Sequence, residues 1–501
     1  MALDNNLSGD TLSMDQIQDF KGKYPKQLWL LFLSEMWERF AFYGMRGMLT
    51  IFMVERLLLS EKDANLKYGA IQAFVYTMAF IGGLFADKIL GFRKSIFWGG
   101  LLMIAGSFIL AFSPEHLYYI GISFTIVGTG FFKPNISTMV GNLYKAGDPR
   151  RDAGFGLFYS GINIGALLGG YLCITVANNY SWNAAFSLAG IGMMLGLGVF
   201  IFTKKTLGPI GLSPLLKKVS VTKKRTYEWL VYAGSLLVIP FILLLVQNST
   251  YTDLFMYIVG PLTLLYIIYE MFKFNTIERR KIIAALVFII FSIFFWAFFE
   301  QAGGSLSLFA RYNIRHDLLG IKMDPNEINN SANSAFVIAL SPLFGLLWLW
   351  LSKRKLEPNT VIKFGLGFLF LGLAFYTFYY TRFFADLQGM TSLNVFTLAY
   401  LVITFGELCL SPIGLSLMTK LTPQPLHGMM MGMWFLASAY GQYAAGILGA
   451  GMATTNANAS LTEKMLSYTA GYKQLGFYAL IAGAVLIIIS PLLRKLMHEV
   501  K

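Results

Sequence analysis

Residues 26–54, KQLWLLFLSEMWERFAFYGMRGMLTIFMV, decide how the chain is to be read. The run is longer than the roughly 20 residues that cross a hydrocarbon layer as a helix, and beyond Lys26 and Gln27 its flanks are apolar. Yet Glu35, Glu38, Arg39 and Arg46 stand in its middle. At about 100° per residue, Glu35, Glu38, Arg39, Phe42, Tyr43 and Arg46 share one face. A charge at the centre of a spanning helix costs at least about 2.5–3.5 kcal/mol, so four of them on one stripe mark a functional region inside a membrane rather than a soluble core.

The rest of the sequence repeats the pattern. Of 501 residues, 56% are hydrophobic and only 13% charged, which excludes one water-soluble core. Apolar runs predict fourteen transmembrane helices at 26–54, 66–87, 92–112, 117–139, 153–177, 183–203, 228–247, 253–272, 281–303, 330–352, 361–381, 394–419, 428–452 and 474–493. The first 25 residues lack the basic and apolar regions of a signal peptide, which places the N-terminus in the cytoplasm. Most of the 40 Lys and Arg then fall in cytoplasmic segments, as the positive-inside rule requires. The net charge of +14 is therefore a topology signal, not the footprint of a nucleic-acid partner. Cys173 and Cys409 have no CxxC or Cys/His spacing and read as small core residues, with no metal site. No Walker loop is present, and Gly128-Thr129-Gly130, in an apolar helix, reads as close packing rather than as a nucleotide loop. No nucleophile stands beside a base, so enzyme chemistry is not expected.

Three more charges lie in apolar runs: Lys133, Glu300 and Glu407. Together the seven comprise three cations and four carboxylates. A carboxylate without a cation in a low-dielectric interior holds a proton, the elementary event of a proton-coupled carrier. The cations are all in the first half, and two carboxylates face them from the second. A cavity between such halves suits a zwitterion, and at about 3.3–3.6 Å per extended residue a di- or tripeptide fits the span.

At this point a family resemblance is specific. Glu35-x-x-Glu38-Arg39-Phe40 with Tyr43-Gly44-Met45-Arg46 resembles the ExxERFxYYGMR signature of the proton-dependent oligopeptide transporter (POT/PTR) family. Phe131-Phe132-Lys133-Pro134-Asn135-Ile136-Ser137 resembles its FxKPNIS motif, and Phe158-Tyr159-Ser160-Gly161-Ile162-Asn163-Ile164-Gly165 its FYxxINxG motif. Phe295-Trp296-Ala297 with Glu300-Gln301, and Gly406-Glu407-Leu408-Cys409-Leu410-Ser411-Pro412, are similar to motifs of its second half. The stretch from Gly83 to Lys94 is similar to the loop motif of the wider major facilitator superfamily.

The resemblance implies an all-α, polytopic major facilitator fold: a cytoplasmic tail (1–25), a six-helix bundle (26–203), a cytoplasmic linker with two extra helices (204–280), a second six-helix bundle (281–493) and a cytoplasmic tail (494–501). It implies symport of di- and tripeptides with protons by alternating access, with protons as coupling ion and no cofactor, in a bacterial inner membrane and with no obligate protein partner. A carrier of nitrate or another small solute on the same fold is the alternative. Carried over residue by residue, Arg39 and Lys133 would hold the peptide carboxylate, and Asn163, Asn333 and Glu407 its amino group. Glu35, Glu38, Arg39 and Glu300 would take part in proton coupling, and Arg46 with Glu300 would form an outer gate. Tyr43, Tyr76, Trp296, Trp434 and Ser438 would line the cavity. Phe42 departs from the family tyrosine at its position, and Ser334 follows Asn333 where bacterial members commonly have proline.

Overall fold

The structure, a computed structural model, describes residues 12–145, 147–216, 218–410, 414–456 and 458–500. Among them are fourteen helices of 18 residues or more: α1 (Lys26–Glu55), α2 (Glu61–Phe85), α3 (Phe92–Phe112), α4 (Pro114–Asn142), α5 (Arg150–Asn179), α6 (Trp182–Thr203), α7 (Val221–Gln247), α8 (Ser249–Met271), α9 (Thr276–Phe299), α10 (Pro325–Lys353), α11 (Thr360–Tyr380), α12 (Leu393–Leu410), α13 (His427–Met452) and α14 (Leu461–Met497). Eleven of these spans are long and apolar enough to cross a membrane. The three that fall short are α1, α4 and α13, which carry the buried charges, Lys133, and Trp434 with Ser438. The departures from an all-α fold among the described residues are a two-residue antiparallel pair, Asp317–Leu318 with Ile321–Lys322, and an isolated parallel bridge between Ile314 and Thr391.

Among the helices whose limits differ from expectation, three do so for a clear local reason. The run 281–303 leaves the α-helix at Phe299, because Glu300–Gly303 tighten into a 3-10 turn before Gly304, and a short helix, Ser305–Asn313, follows. The run 394–419 stops at Leu410 and resumes as Gly414–Leu421, with 411–413 outside the described residues. The last helix begins at Leu461, thirteen residues before its expected start, because Ser460 and Glu463 form a capping box there.

The chain divides into two units. The first comprises Met1–Arg46 and Thr77–Leu244, the second Gly47–Tyr76 and Leu245–Lys501. In the first unit, small residues set the spacing of the helices. Gly161, Gly165 and Gly169 lie one turn apart on α5, and each lets α1 approach at Phe32, Met36 and Phe40 in turn. Gly128 and Gly130 do the same for α4, against Gly99 of α3 and Met78 of α2. The Gly-Thr-Gly stretch is thus a packing device, and it brings Lys133, one turn further along α4, to the level of the α1 charges. Cys173 and Cys409 are both buried and free, and a Cβ on Gly44 would come 2.5 Å from Cys173 Sγ. The second unit is held by an aromatic core in which Phe295, Phe364, Phe368, Phe378, Tyr400 and Tyr472 meet edge to face or tilted.

Candidate transport site

In the first unit the charges of α1 close on one another. Arg39 Nε lies 3.1 Å from Glu35 Oε1, and Arg39 Nη2 donates to Glu38 Oε1 at 2.7 Å. Arg39 Nε also pairs with Glu38 Oε2. All three side chains are sealed from solvent, at 2%, 0% and 1% exposure for Glu35, Glu38 and Arg39. Spacing explains the geometry: Glu35 and Arg39 are i and i+4, and Glu38 adjoins, so one guanidinium fork reaches both carboxylates. Glu35 Oε2 is buried without a hydrogen-bond partner. Two carboxylates therefore share one guanidinium. Lys133 supplies a second cation, close enough to interact electrostatically with Glu35, Glu38, Arg39 and Tyr43.

The neighbours fix this arrangement. A Cβ on Gly165 would sit 2.9 Å from Arg39 Cβ, so the α5 glycine permits the approach that orients Arg39. Asn163, half a turn before it, is buried and donates Nδ2 to Tyr159 O at 3.0 Å, leaving its carbonyl oxygen for another partner. Phe42, at the position of the missing hydroxyl, carries the Arg39 guanidinium over its ring at 5.2 Å from the centroid. Tyr43 does the same for Arg46 at 5.6 Å.

The second unit holds the remaining candidates. Asn333 on α10 donates Nδ2 to Glu407 Oε2 of α12 at 2.9 Å and to Thr404 Oγ1 at 3.1 Å. Two of the three residues that the resemblance assigns to an amino group, Asn333 and Glu407, are in contact, although 74 positions apart in sequence. Ser334 continues the helix, so the absent proline does not displace Asn333. Trp296 on α9 is matched by Gly441 on α13, where a Cβ would come 2.5 Å from Trp296 Cβ. Ser438 and Trp434 lie one and two turns earlier on the same α13 face, with Ser438 Oγ bonded to Trp434 O at 3.3 Å. Trp296 Nε1 is buried without a hydrogen-bond partner, a donor suited to a polar guest. Tyr76 packs beside Ala73, Phe255, Met256 and Tyr440. Arg46 belongs to the first unit and Glu300 to the second, where Glu300 is buried at the C-cap of α9.

Several charges escaped the sequence reading. Glu55 at the end of α1 receives Arg311 at 2.7 and 3.3 Å. Glu61 opens α2 and is buried against Lys464, 2.5 Å away, and Tyr468 on α14. The expected limits 66–87 and 474–493 left Glu61 and Lys464 in loops. The Ser60 and Ser460 caps, each followed three residues later by an acid, were the signal that could have found them.

Comparison with known proteins agrees with this architecture. A profile of the POT family matches residues 93–465. Peptide transporter YePEPT of Yersinia enterocolitica subsp. palearctica is 33% identical over 499 residues, covering 95% of this chain and 96% of that protein. Dipeptide and tripeptide permease B of Aeromonas hydrophila is 30% identical over 478 residues, covering 95% and 94%. The crystal structure of peptide transporter POT in complex with sulfate superposes with a TM-score of 0.81 at 33% identity, over 97% of this chain and 100% of that one. A mutant of the same transporter in complex with alafosfalin superposes at 0.82 with equal identity and coverage. The chain belongs to the POT family, a membrane-transporter family and not one of enzymes.

Proposed function

We propose that this protein is a proton-coupled symporter that carries di- and tripeptides by alternating access. The observation that carries the proposal is the buried triad of Glu35, Glu38 and Arg39 beside Lys133. One guanidinium divided between two carboxylates is poised for exchange. When a peptide carboxylate takes up Arg39 and Lys133, a glutamate loses its countercharge in a place without water. A proton then replaces the countercharge. Substrate binding and proton uptake become one event because the peptide carboxylate and the glutamate compete for the same cation, and the displaced glutamate takes the proton. The opposite end of a peptide is an ammonium, and Glu407, oriented by Asn333, is a carboxylate suited to it. Trp296, Trp434, Ser438, Tyr43, Tyr76 and Asn163 supply ring faces and neutral polar atoms, which accept varied side chains.

In this reading the helices cross a bacterial inner membrane with both termini in the cytoplasm, protons are the coupling ion, no cofactor takes part and no protein partner is needed. Uptake of labelled dialanine into proteoliposomes tests it. Accumulation above the external concentration is expected with an inward proton gradient and not without one. Equal uptake in both conditions would overturn proton coupling. Uptake of nitrate without uptake of dialanine would overturn the peptide assignment.

A further inference from the structure

Glu61, Asn65, Tyr68, Gln72 and Tyr76 follow one another along α2 at steps of three and four residues, so one face of this helix is polar throughout. Within the second unit that face is tightly packed. A Cβ on Gly69 would come 2.7 Å from Gly446 Cα of α13, and one on Gly304 would come 2.7 Å from Asn65 Oδ1. Tyr68 lies against Gly303. Three amide atoms on or beside this seam are buried without hydrogen-bond partners: Asn65 Oδ1, Gln72 Nε2 and Gln442 Oε1. Their residues are exposed by no more than 2%. Parting of the seam would let water bond to each of them, so hydration at these positions offsets part of the packing lost.

The polar contacts of α2 with α14 begin at its first turn. Glu61 takes Lys464 Nζ on Oε1 at 2.5 Å and the Tyr468 hydroxyl on Oε2, while its backbone carbonyl accepts Asn65 Nδ2 at 2.8 Å. Both side-chain partners belong to α14. We propose that Glu61 is the clasp of an outer seal: while it holds Lys464 and Tyr468 the amide seam stays shut, and its release lets the seam part and hydrate as a route for peptide from outside. This rests on the topology proposed above, which puts the start of α2 outside. It adds a positioning residue on α2 and α14 that the Arg46 and Glu300 pair does not include.

A reporter cysteine at Gln72 tests the clasp in membrane vesicles, labelled from the outer side by a membrane-impermeant maleimide. Cys173 and Cys409 are buried and give little background. Glu61→Gln, Lys464→Gln and Tyr468→Phe are each expected to speed labelling by about fivefold or more, the change expected on losing one or two hydrogen bonds to a charge. Glu463→Gln, which alters only the α14 cap, should leave the rate unchanged. Tyr468→Phe keeps the ring in its packing and guards against a folding defect in the charge variants. Unchanged labelling in all three variants, or acceleration only from the cytoplasmic side, would overturn the proposal. The readout needs no substrate, so it stands apart from the dialanine experiment: faster labelling in a protein that fails to carry dialanine would support the clasp and refute the substrate.

Discussion

The two constellations assigned to the ends of a peptide are built on opposite plans. In the first unit, two carboxylates and a guanidinium from about one turn of α1 pair with one another, and Lys133 approaches from α4. In the second, one carboxylate on α12 is met by a neutral amide from α10, and that amide also binds Thr404. The difference sets what each can do. Removing a member of a buried ionic cluster leaves an opposite charge uncompensated, which costs about 3–5 kcal/mol. Removing a neutral donor from a carboxylate leaves the charge in place with one hydrogen bond fewer, at about 1–3 kcal/mol. The first plan suits a switch between protonation states, and the second suits a steady anionic contact for an ammonium.

The strongest way to break the comparison is Glu38→Gln. If the α1 cluster is the proton switch, the variant is fixed in a neutral form and cannot couple. Gradient-driven accumulation of dialanine should fall to its level without a gradient, so that the internal concentration no longer exceeds the external one. Exchange of labelled for unlabelled peptide across the membrane should persist, because exchange does not require the proton to leave. Accumulation against a gradient by the mutant would remove Glu38 from the coupling role.

Next in size is Glu407→Gln, which should weaken binding of a free dipeptide by roughly 10- to 100-fold through loss of a charge-assisted contact. An N-acetylated dipeptide has no ammonium and should bind the variant nearly as well as it binds the parent. Isothermal titration with both ligands checks this. Equal losses would show that Glu407 acts on the fold and not on the amino terminus.

The unequal legibility of the two plans follows from the same construction. The α1 cluster was readable because its members lie within one helical turn, so periodicity alone puts them on one face. Asn333 and Glu407 lie 74 residues apart, and no pattern in the sequence pairs them; the resemblance supplied the roles and the structure supplies the contact. The fourteen helices were legible from hydropathy, but that signal follows lipid and not the backbone. It therefore missed the polar first turns of α2 and α14 that carry Glu61 and Lys464. It also ran through the end of α12, where Glu407-Leu408-Cys409-Leu410 reads as uninterrupted helix. The seam on α2 was invisible to a tally of charges because Asn65, Gln72 and Gln442 carry none.

A third and smaller effect is expected at Arg46 and Glu300. If they act as an outer gate, Arg46→Ala and Glu300→Gln should each lower the transport rate by about tenfold or less while dipeptide affinity stays nearly intact, since a gate changes populations and not contacts with the ligand. Exchanging the two charges should restore part of the rate. A fall in affinity for Glu300→Gln as large as that for Glu407→Gln would instead place Glu300 in the ammonium site.

The smallest change sharpens the comparison most. Asn333→Ala removes the amide that holds Glu407 Oε2 at 2.9 Å and leaves the carboxylate in place. If Asn333 only orients Glu407, the loss is one hydrogen bond to a charge at the lower end of the range for such bonds, about 1.5 kcal/mol, or roughly tenfold in dipeptide affinity. The loss should be confined to ligands with a free ammonium. In Glu407→Gln the same substitution should cost almost nothing further, because there is no charge left to orient, so the two variants should be strongly non-additive. If Asn333 instead binds the peptide by itself, through its free carbonyl oxygen, the two losses add and the N-acetylated ligand suffers as well. A double-mutant cycle on the two ligands therefore separates an orienting amide from a binding one. The corresponding cycle at Glu35 and Arg39 should show a larger coupling, since there the partner left behind is a buried charge.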